Sequence, residues 1–350
     1  MAARDIKVAV IGVGNVGATF VQGVQYYSTN NAKEDKVIGL WHQKVAGYRP
    51  SNVKIVAAFD VSPAKVGRPL AEVATASTKK YCDVSSKVTI GPGLALDAAP
   101  ISEEKQEAAT ITTSTRAPDF AKALEDSGAD VVLNLISSGM DKSSAEYAKA
   151  ALKAGASFIN ATPAKLANSP LAGKFAQKKL VLAGDDLLSQ FGGTAFHKGM
   201  IDFMVERGVH VSKSYQLDVG GSEETRRTMD ERIKMLKRSM KTGAIGMEAP
   251  YKFESVAGTT EYTDFLGDSR NSYYWMSSEG FLGAKIIMDL TLRTSDGANA
   301  GNVLLDVVRA AMAKSPVSKK APVINAYGFK NPPKRAKVRR AYSDFIEMFA

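Results

Sequence analysis

Apolar and polar positions along this chain follow two periods, and the order in which they alternate predicts its elements. In "KVAVIGVGNVGATFVQGVQ" a β-branched run from Lys7 to Ile11 breaks into Gly12, Gly14 and Gly17 before an apolar helical pattern takes over. A strand, a tight turn and a helix are predicted in succession. A second buried strand, "VKIVAAFDV", ends in Asp60. Helix and strand patterns then take turns: "DFAKALEDSGA" before "DVVLNLISS", "AEYAKAALKAGA" before "SFINATPA", and "PLAGKFAQKK" before "LVLAGDD". Near-continuous apolar strands joined by amphipathic helices predict a doubly wound parallel sheet, because crossover helices bury both faces of each strand. The polar stretch "YYSTNNAKEDKVIGLWHQKVAGYRPSN", with its Gly and Pro punctuation, reads as an excursion off the sheet edge.

After about residue 190 the pattern changes. "SKSYQLDVGG" reads as a strand, and "AKIIMDLTLRTSD" alternates as strands of antiparallel sheets do. Between them lies "DERIKMLKRSMKTG", residues 230–243. On a helix, Met229, Ile233, Leu236 and Met240 stack into one apolar stripe that must face a core. Lys237 falls at the edge of that stripe, Lys241 a little further round, and Lys234 and Arg238 toward water. An edge lysine can turn its ammonium into a cleft or snorkel along the core boundary. This stretch alone leaves both readings open. The helix "NVLLDVVRAAMAK" and a basic tail close the chain.

Composition narrows the class. With 350 residues, 45% hydrophobic and 23% charged, the chain can build two domains with their own cores. No window approaches a membrane span, and the start "IKVAVIGVG" lacks a signal peptide's cleavage pattern, so a cytoplasmic protein is expected. The single cysteine, Cys82, excludes a disulfide framework and a cysteine-only metal site. His42, His197 and His210 are too scattered for a dedicated zinc cage, and His197 is expected to pack or hydrogen-bond. A cation held by carboxylates stays open. The net charge of +10 suits an anionic ligand, either a phosphorylated metabolite or nucleic acid, but much of it lies in the tail "KNPPKRAKVRR", read as a solvated face. No aromatic-interleaved or helix-turn-helix motif supports nucleic acid.

The glycine turn carries the first chemistry. G-x-G-x-x-G between a strand and a helix lets backbone amides approach a pyrophosphate at the helix N-terminus. Asp60 is the acidic residue expected on the adenosine ribose hydroxyls, which favours NAD over NADP, although the interval from the turn exceeds the usual spacing of about 20 residues.

Behind this turn come "GDDLLSQFGGT", "LDVGG", "LKRSMK", "FLGDSR", "SDGANAG" and "GFKNPP", in that order. With them the chain resembles the myo-inositol-1-phosphate synthase family along nearly its whole length, and "VQGVQYY" and "VAAFDV" resemble the prokaryotic branch. The resemblance implies a redox-neutral isomerase. Glucose 6-phosphate is oxidised at carbon 5, deprotonated at carbon 6, closed by enolate attack on the carbon 1 aldehyde and reduced again, with NAD recycled and 1L-myo-inositol 1-phosphate formed. Such chemistry moves charge on and off oxygens beside a phosphate, so several ammonium groups are wanted.

Residue by residue, the resemblance implies Lys237 as the lysine handling the proton at the carbon 5 oxygen, and Lys241 and Lys330 as contacts to substrate oxygens. It implies Ser189, Gln190, Gly193 and Thr194 as the phosphate segment. Asp185 and Asp186 link nicotinamide to substrate, and Asp296 stands beside the cofactor. Gly12, Gly14, Asn15, Val16, Gly17, Asp60 and Ser137 complete the cofactor set. Three positions depart from the family pattern. Arg270 stands where a catalytic lysine is expected, and a guanidinium can stabilise an oxyanion but does not readily shuttle a proton. Leu188 replaces a basic residue, and Glu224 a shorter aspartate that orients a lysine.

The expected architecture is α/β: an NAD-binding Rossmann domain over 1–192, an inserted α+β catalytic and tetramerisation domain over 193–300, and a C-terminal segment, 301–350, returning to the first. A homotetramer is implied. Two other readings stand beside the cyclase: a related NAD-dependent enzyme of a different phosphosugar, including a net dehydrogenase, and an NAD-responsive basic protein that binds nucleic acid.

Overall fold

The structure, a computed structural model, describes residues 4–29, 37–97 and 114–350. In chain order its first elements are β1 (Ile6–Ile11), α1 (Asn15–Thr29), β2 (Val53–Asp60), α2 (Leu70–Ala76), β3 (Ile90–Pro92) and α3 (Ala117–Ser127). There follow β4 (Val131–Asn134), α4 (Asp141–Ala154), β5 (Ser157–Asn160), α5 (Leu171–Gln177) and β6 (Leu182–Ala183). These strands form one parallel sheet in the order β3-β2-β1-β4-β5-β6. That is the doubly wound order, whose ligand crevice opens between β1 and β4, where the winding reverses.

Every residue of β4 and β5 is buried, which explains their unbroken apolar pattern. Phe120, Leu124, Tyr147 and Phe175 of α3, α4 and α5 cover one face. The other face is covered by α1 together with α9 (Asp296–Ala311), whose Val303, Leu304 and Val307 pack on Val8, Val10 and Phe20. The excursion after α1 lies here too, in its described part, over α9 and not off the sheet edge. The fully buried Arg309 donates to the carbonyls of His42, Gln43 and Tyr48 while pairing with Asp306 at 2.7 Å. A buried guanidinium needs such acceptors.

The second sheet uses β7 (His210–Gly220), β8 (Glu254–Tyr262), β9 (Ser269–Glu279) and β10 (Lys285–Ser295) in the order β10-β9-β7-β8. β10 is antiparallel to β9, as its alternating pattern predicts; β9 is antiparallel to β7, but β8 runs parallel to β7. One face packs on α6 (Gly193–Glu206) and α8 (Glu231–Ile245) through Ile201, Met204, Ile245, Tyr274 and Met276. On the other face Tyr215 stacks on Trp275 with centroids 5.8 Å apart, and Tyr215 and Ile287 stay 39% and 44% exposed. The short α7 (Glu223–Arg227) joins β7 to α8, and α10 (Val317–Gly328) and α11 (Val338–Phe349) close the chain against α9 and α6.

Candidate active site

The glycine turn is built by close approach. A side chain on Gly12 would come 2.8 Å from the Leu135 carbonyl at a φ of +90°, and one on Gly17 2.3 Å from the Gly12 carbonyl. Beside Gly14 nothing lies within 4 Å, so the α1 N-terminus faces an open cradle suited to a pyrophosphate. The Asp60 carboxylate joins two turns, accepting from the Val13 amide at 2.8 Å and from Val61 and Ser62 at 2.8 and 2.9 Å. Lys65 stands 3.6 Å away and donates to the Val13 carbonyl.

This cradle opens into a cavity of about 610 Å³ that continues between the two sheets. Three further segments bring four cations to its wall. From α8, Lys237 pairs with Glu224 on α7 and donates to Thr228 at 3.2 Å. Glu224 accepts in turn from the Ser138 amide at 3.0 Å, which ties α7 to the loop after β4. Its surroundings disfavour a charge, yet the Lys237 ammonium holds the carboxyl below its ordinary range. One helical turn on, Lys241 donates to Asp218 of β7 at 2.8 Å. From β9, Arg270 reaches Asp296 at 2.6 Å and Asp218 at 3.9 Å. After α10, Lys330 donates to Asp186 at 2.8 Å.

Lys241 is more enclosed than Lys237, the reverse of what the helix stripe predicts. The reason is Gly258 on β8, where a side chain would strike the Lys241 Cδ at 2.8 Å, so the lysine stem lies flat against the strand. Burial lowers the Lys241 pKa, and Asp218 is the main influence opposing that fall. Burial also works against Asp218, but Lys241 and Arg270 outweigh it and hold the carboxyl far below its ordinary range. Around Arg270, Asp296 and Asp218 outweigh desolvation and hold the guanidinium charged.

Ser189, Gly193, Thr194, Ser137, Asn15, Val16, Asp186 and Asp296 reach the same cavity wall. Three expected residues do not. The Gln190 side chain turns to Asn302 of α9 and lines a different cavity, because that amide offers it a buried donor. Asp185 is wholly buried behind the wall, held by Asn160 at 2.8 Å and the Ala167 amide at 3.1 Å, and burial raises its pKa. Its carboxyl therefore lies outside the cavity lining. Gly17 packs on Gly12 and serves the turn. Leu188 is buried and brings no charge to the phosphate segment.

Sequence reasoning missed Asp218 and Asp268, although both lie inside quoted motifs, "LDVGG" and "FLGDSR". An acid on a strand otherwise destined for a core was the available signal. Asp268 accepts from Asn15 at 2.9 Å, Thr78 at 3.0 Å and Ser295 at 2.9 Å, drawing the β8–β9 loop over the glycine turn. Among the described residues no group of three or more His, Cys, Asp or Glu is arranged to hold a metal. His197 bonds Gln216 at 3.3 Å and Ser214 at 3.1 Å. No described helix is long and apolar enough to cross a membrane.

Comparison with known proteins agrees with this geometry. A family model described as myo-inositol-1-phosphate synthase matches residues 192–297, the stretch from the phosphate segment to the start of α9. The inositol-3-phosphate synthase of Corynebacterium glutamicum is 33% identical over 351 residues, covering 96% of this chain and 95% of that protein. The inositol-3-phosphate synthase of Mycobacterium tuberculosis is 32% identical over 346 residues, covering 95% and 93%. In fold, the crystal structure of a myo-inositol-1-phosphate synthase-related protein from Thermotoga maritima matches with a TM-score of 0.77 at 23% identity, covering 98% and 97%. With near-complete coverage by such relatives and a glycine cradle joined to a lysine-rich cavity, the chain belongs to the inositol-3-phosphate synthase family.

Proposed function

We propose that this protein cyclises D-glucose 6-phosphate to 1L-myo-inositol 1-phosphate with recycled NAD. The observation that carries the reading is the convergence of Lys237, Lys241, Arg270 and Lys330 beside the dinucleotide cradle, from parts of the chain that meet only in the folded protein. NAD, which Gly12, Gly14, Asp60 and the start of α1 would hold, would supply reversible hydride acceptance with no net oxidation.

The chain's own residues do the remaining work. Lys237 exchanges a proton at the carbon 5 oxygen, and its contacts with Glu224 and Thr228 give that proton a route. Lys241, held charged by Asp218, and Lys330 donate to substrate oxygens as negative charge develops. Arg270 stabilises the enolate oxygen without exchanging a proton, since two carboxylates keep it ionised. Ser189, Gly193 and Thr194 hold the phosphate at the start of α6. Asp60 and Asp296 orient the cofactor.

Phosphorus NMR of the protein with glucose 6-phosphate and NAD, with NADH absorbance followed in parallel, tests this. A new inositol phosphate resonance without net NADH is expected. Accumulating NADH would instead make the protein a net dehydrogenase of a phosphosugar.

The division at residues 192 and 300 is part of the same reading, supported by the change from parallel to mixed sheet. A homotetramer is supported by the uncovered aromatic face of the second sheet. A cation is carried only as a companion of the bound phosphate, and loss of activity in EDTA would reveal it. We place the protein in the cytoplasm, with its soluble substrate, and inositol phospholipid synthesis as the downstream use.

A further inference from the structure

Arg226 and Arg227 are the cavity-wall cations that have no carboxylate of their own among the described residues, and Arg227 has the weaker hold on the one they share. Lys65, Lys237, Lys241, Arg270 and Lys330 each have one, at 3.6 Å or less. Arg227 has only Glu223, with its Nε 3.4 Å from Oε1 and in no hydrogen bond. The other oxygen of Glu223 is engaged by Arg226, at 2.9 Å from Nε and 2.6 Å from Nη2. Two guanidinium groups thus share one carboxylate on α7, and the surplus positive charge lies on the cavity wall. A guanidinium there, 23% exposed and with donors to spare, is matched by a phosphate, whose oxygens can accept two parallel bonds from its fork. Leu188 lines the same cavity and brings no charge to it.

We propose that Arg227 is a phosphate anchor, binding either the phosphate of the sugar or the pyrophosphate of the dinucleotide. The assignment rests on the functional reading above. It makes Arg227 a binding residue for the same reaction.

Calorimetric titrations of R227Q, R227K and E223Q test it, with glucose 6-phosphate on NAD-saturated protein and with NAD alone on stripped protein. In R227Q one of the two dissociation constants should rise about tenfold or more. The affected ligand identifies which phosphate is held, and glucose and adenosine serve as controls whose binding should not change. R227K should recover part of the loss as a point charge. E223Q releases Arg227 from its shared carboxylate and should tighten the same ligand severalfold, which keeps a test available if R227Q does not fold. Both constants within about twofold of wild type in folded R227Q would overturn the assignment and leave Arg227 a helix ion pair. Unchanged binding in E223Q, where R227Q is unfolded, would do the same. If wild-type protein binds neither ligand, the functional reading itself fails and the anchor with it.

Discussion

Asp218→Asn removes one charge and almost no volume from the most enclosed ionic contact in the cavity. In the wild type, Asp218 accepts from Lys241 at 2.8 Å, from Gln216 at 2.8 Å and from Ser272 at 2.6 Å. The variant leaves the Lys241 ammonium buried with the like charges of Arg270 and Lys330 acting on it. Breaking one side of a buried pair costs about 3–5 kcal/mol. With an unfolding entropy near 2.1 cal/mol/K per residue, the melting temperature should fall by roughly 4–7 °C. The pH dependence has a definite sign. Asp218 has a folded pKa below its ordinary 3.8, so its stabilisation is present above that value and lost as pH falls through the folded pKa. The gap between wild type and variant should therefore be full at neutral pH and close below about pH 4. Activity should report the same change. Without its counterion Lys241 loses its proton at lower pH, so kcat/KM should drop by about 100–1,000-fold, with its alkaline limb moved toward neutrality. Differential scanning calorimetry and a kcat/KM profile against pH measure both effects. A folded variant with unchanged melting temperature and unmoved alkaline limb would refute the claim that Asp218 keeps Lys241 charged.

Lys237→Gln should lower kcat by about 100–10,000-fold while glucose 6-phosphate still binds, as separate kinetic and calorimetric titrations can show. Trp275→Glu places a charge in the uncovered aromatic face of the second sheet, and light scattering should then find smaller assemblies of still-folded chains; an unchanged mass would remove that face from the interface. Burial pulls His197 down to about 4 from its ordinary 6.5. Below pH 6.5 the unfolded chain takes a proton that the folded one refuses until about pH 4, so stability should fall across that window, and His197→Gln should flatten the fall in denaturant titrations.

How far the chain could be read depended on whether a residue's role was local. The glycine turn, Asp60 and five strands of the first sheet follow from nearest-neighbour sterics and from buried apolar runs, whereas the three-residue β3, with only Ile90 buried, shows no such run. The second sheet was half legible. β9 turns Ser272 and Ser278 inward with Tyr274 and Met276, so its buried face shows no apolar alternation. β8 carries Gly258 and a register shift against β7, and its pattern is broken. The cations were legible as candidates through the motifs they share with a known family. Their partners were not, because Asp218, Asp186 and Asp296 lie 23, 144 and 26 positions from Lys241, Lys330 and Arg270.

The sequence by itself determined five of the first sheet's six strands, the dinucleotide turn and which residues could carry charge chemistry, since each depends on period, spacing or a motif within a short stretch. Only the tertiary structure decided that Lys241 lies deeper than Lys237, that Gln190 and Asp185 leave the cavity wall, and that Arg227 shares its carboxylate. Those outcomes depend on which carboxylate, glycine or amide another segment brings alongside. A helix or strand pattern encodes only the direction in which a side chain leaves its own backbone.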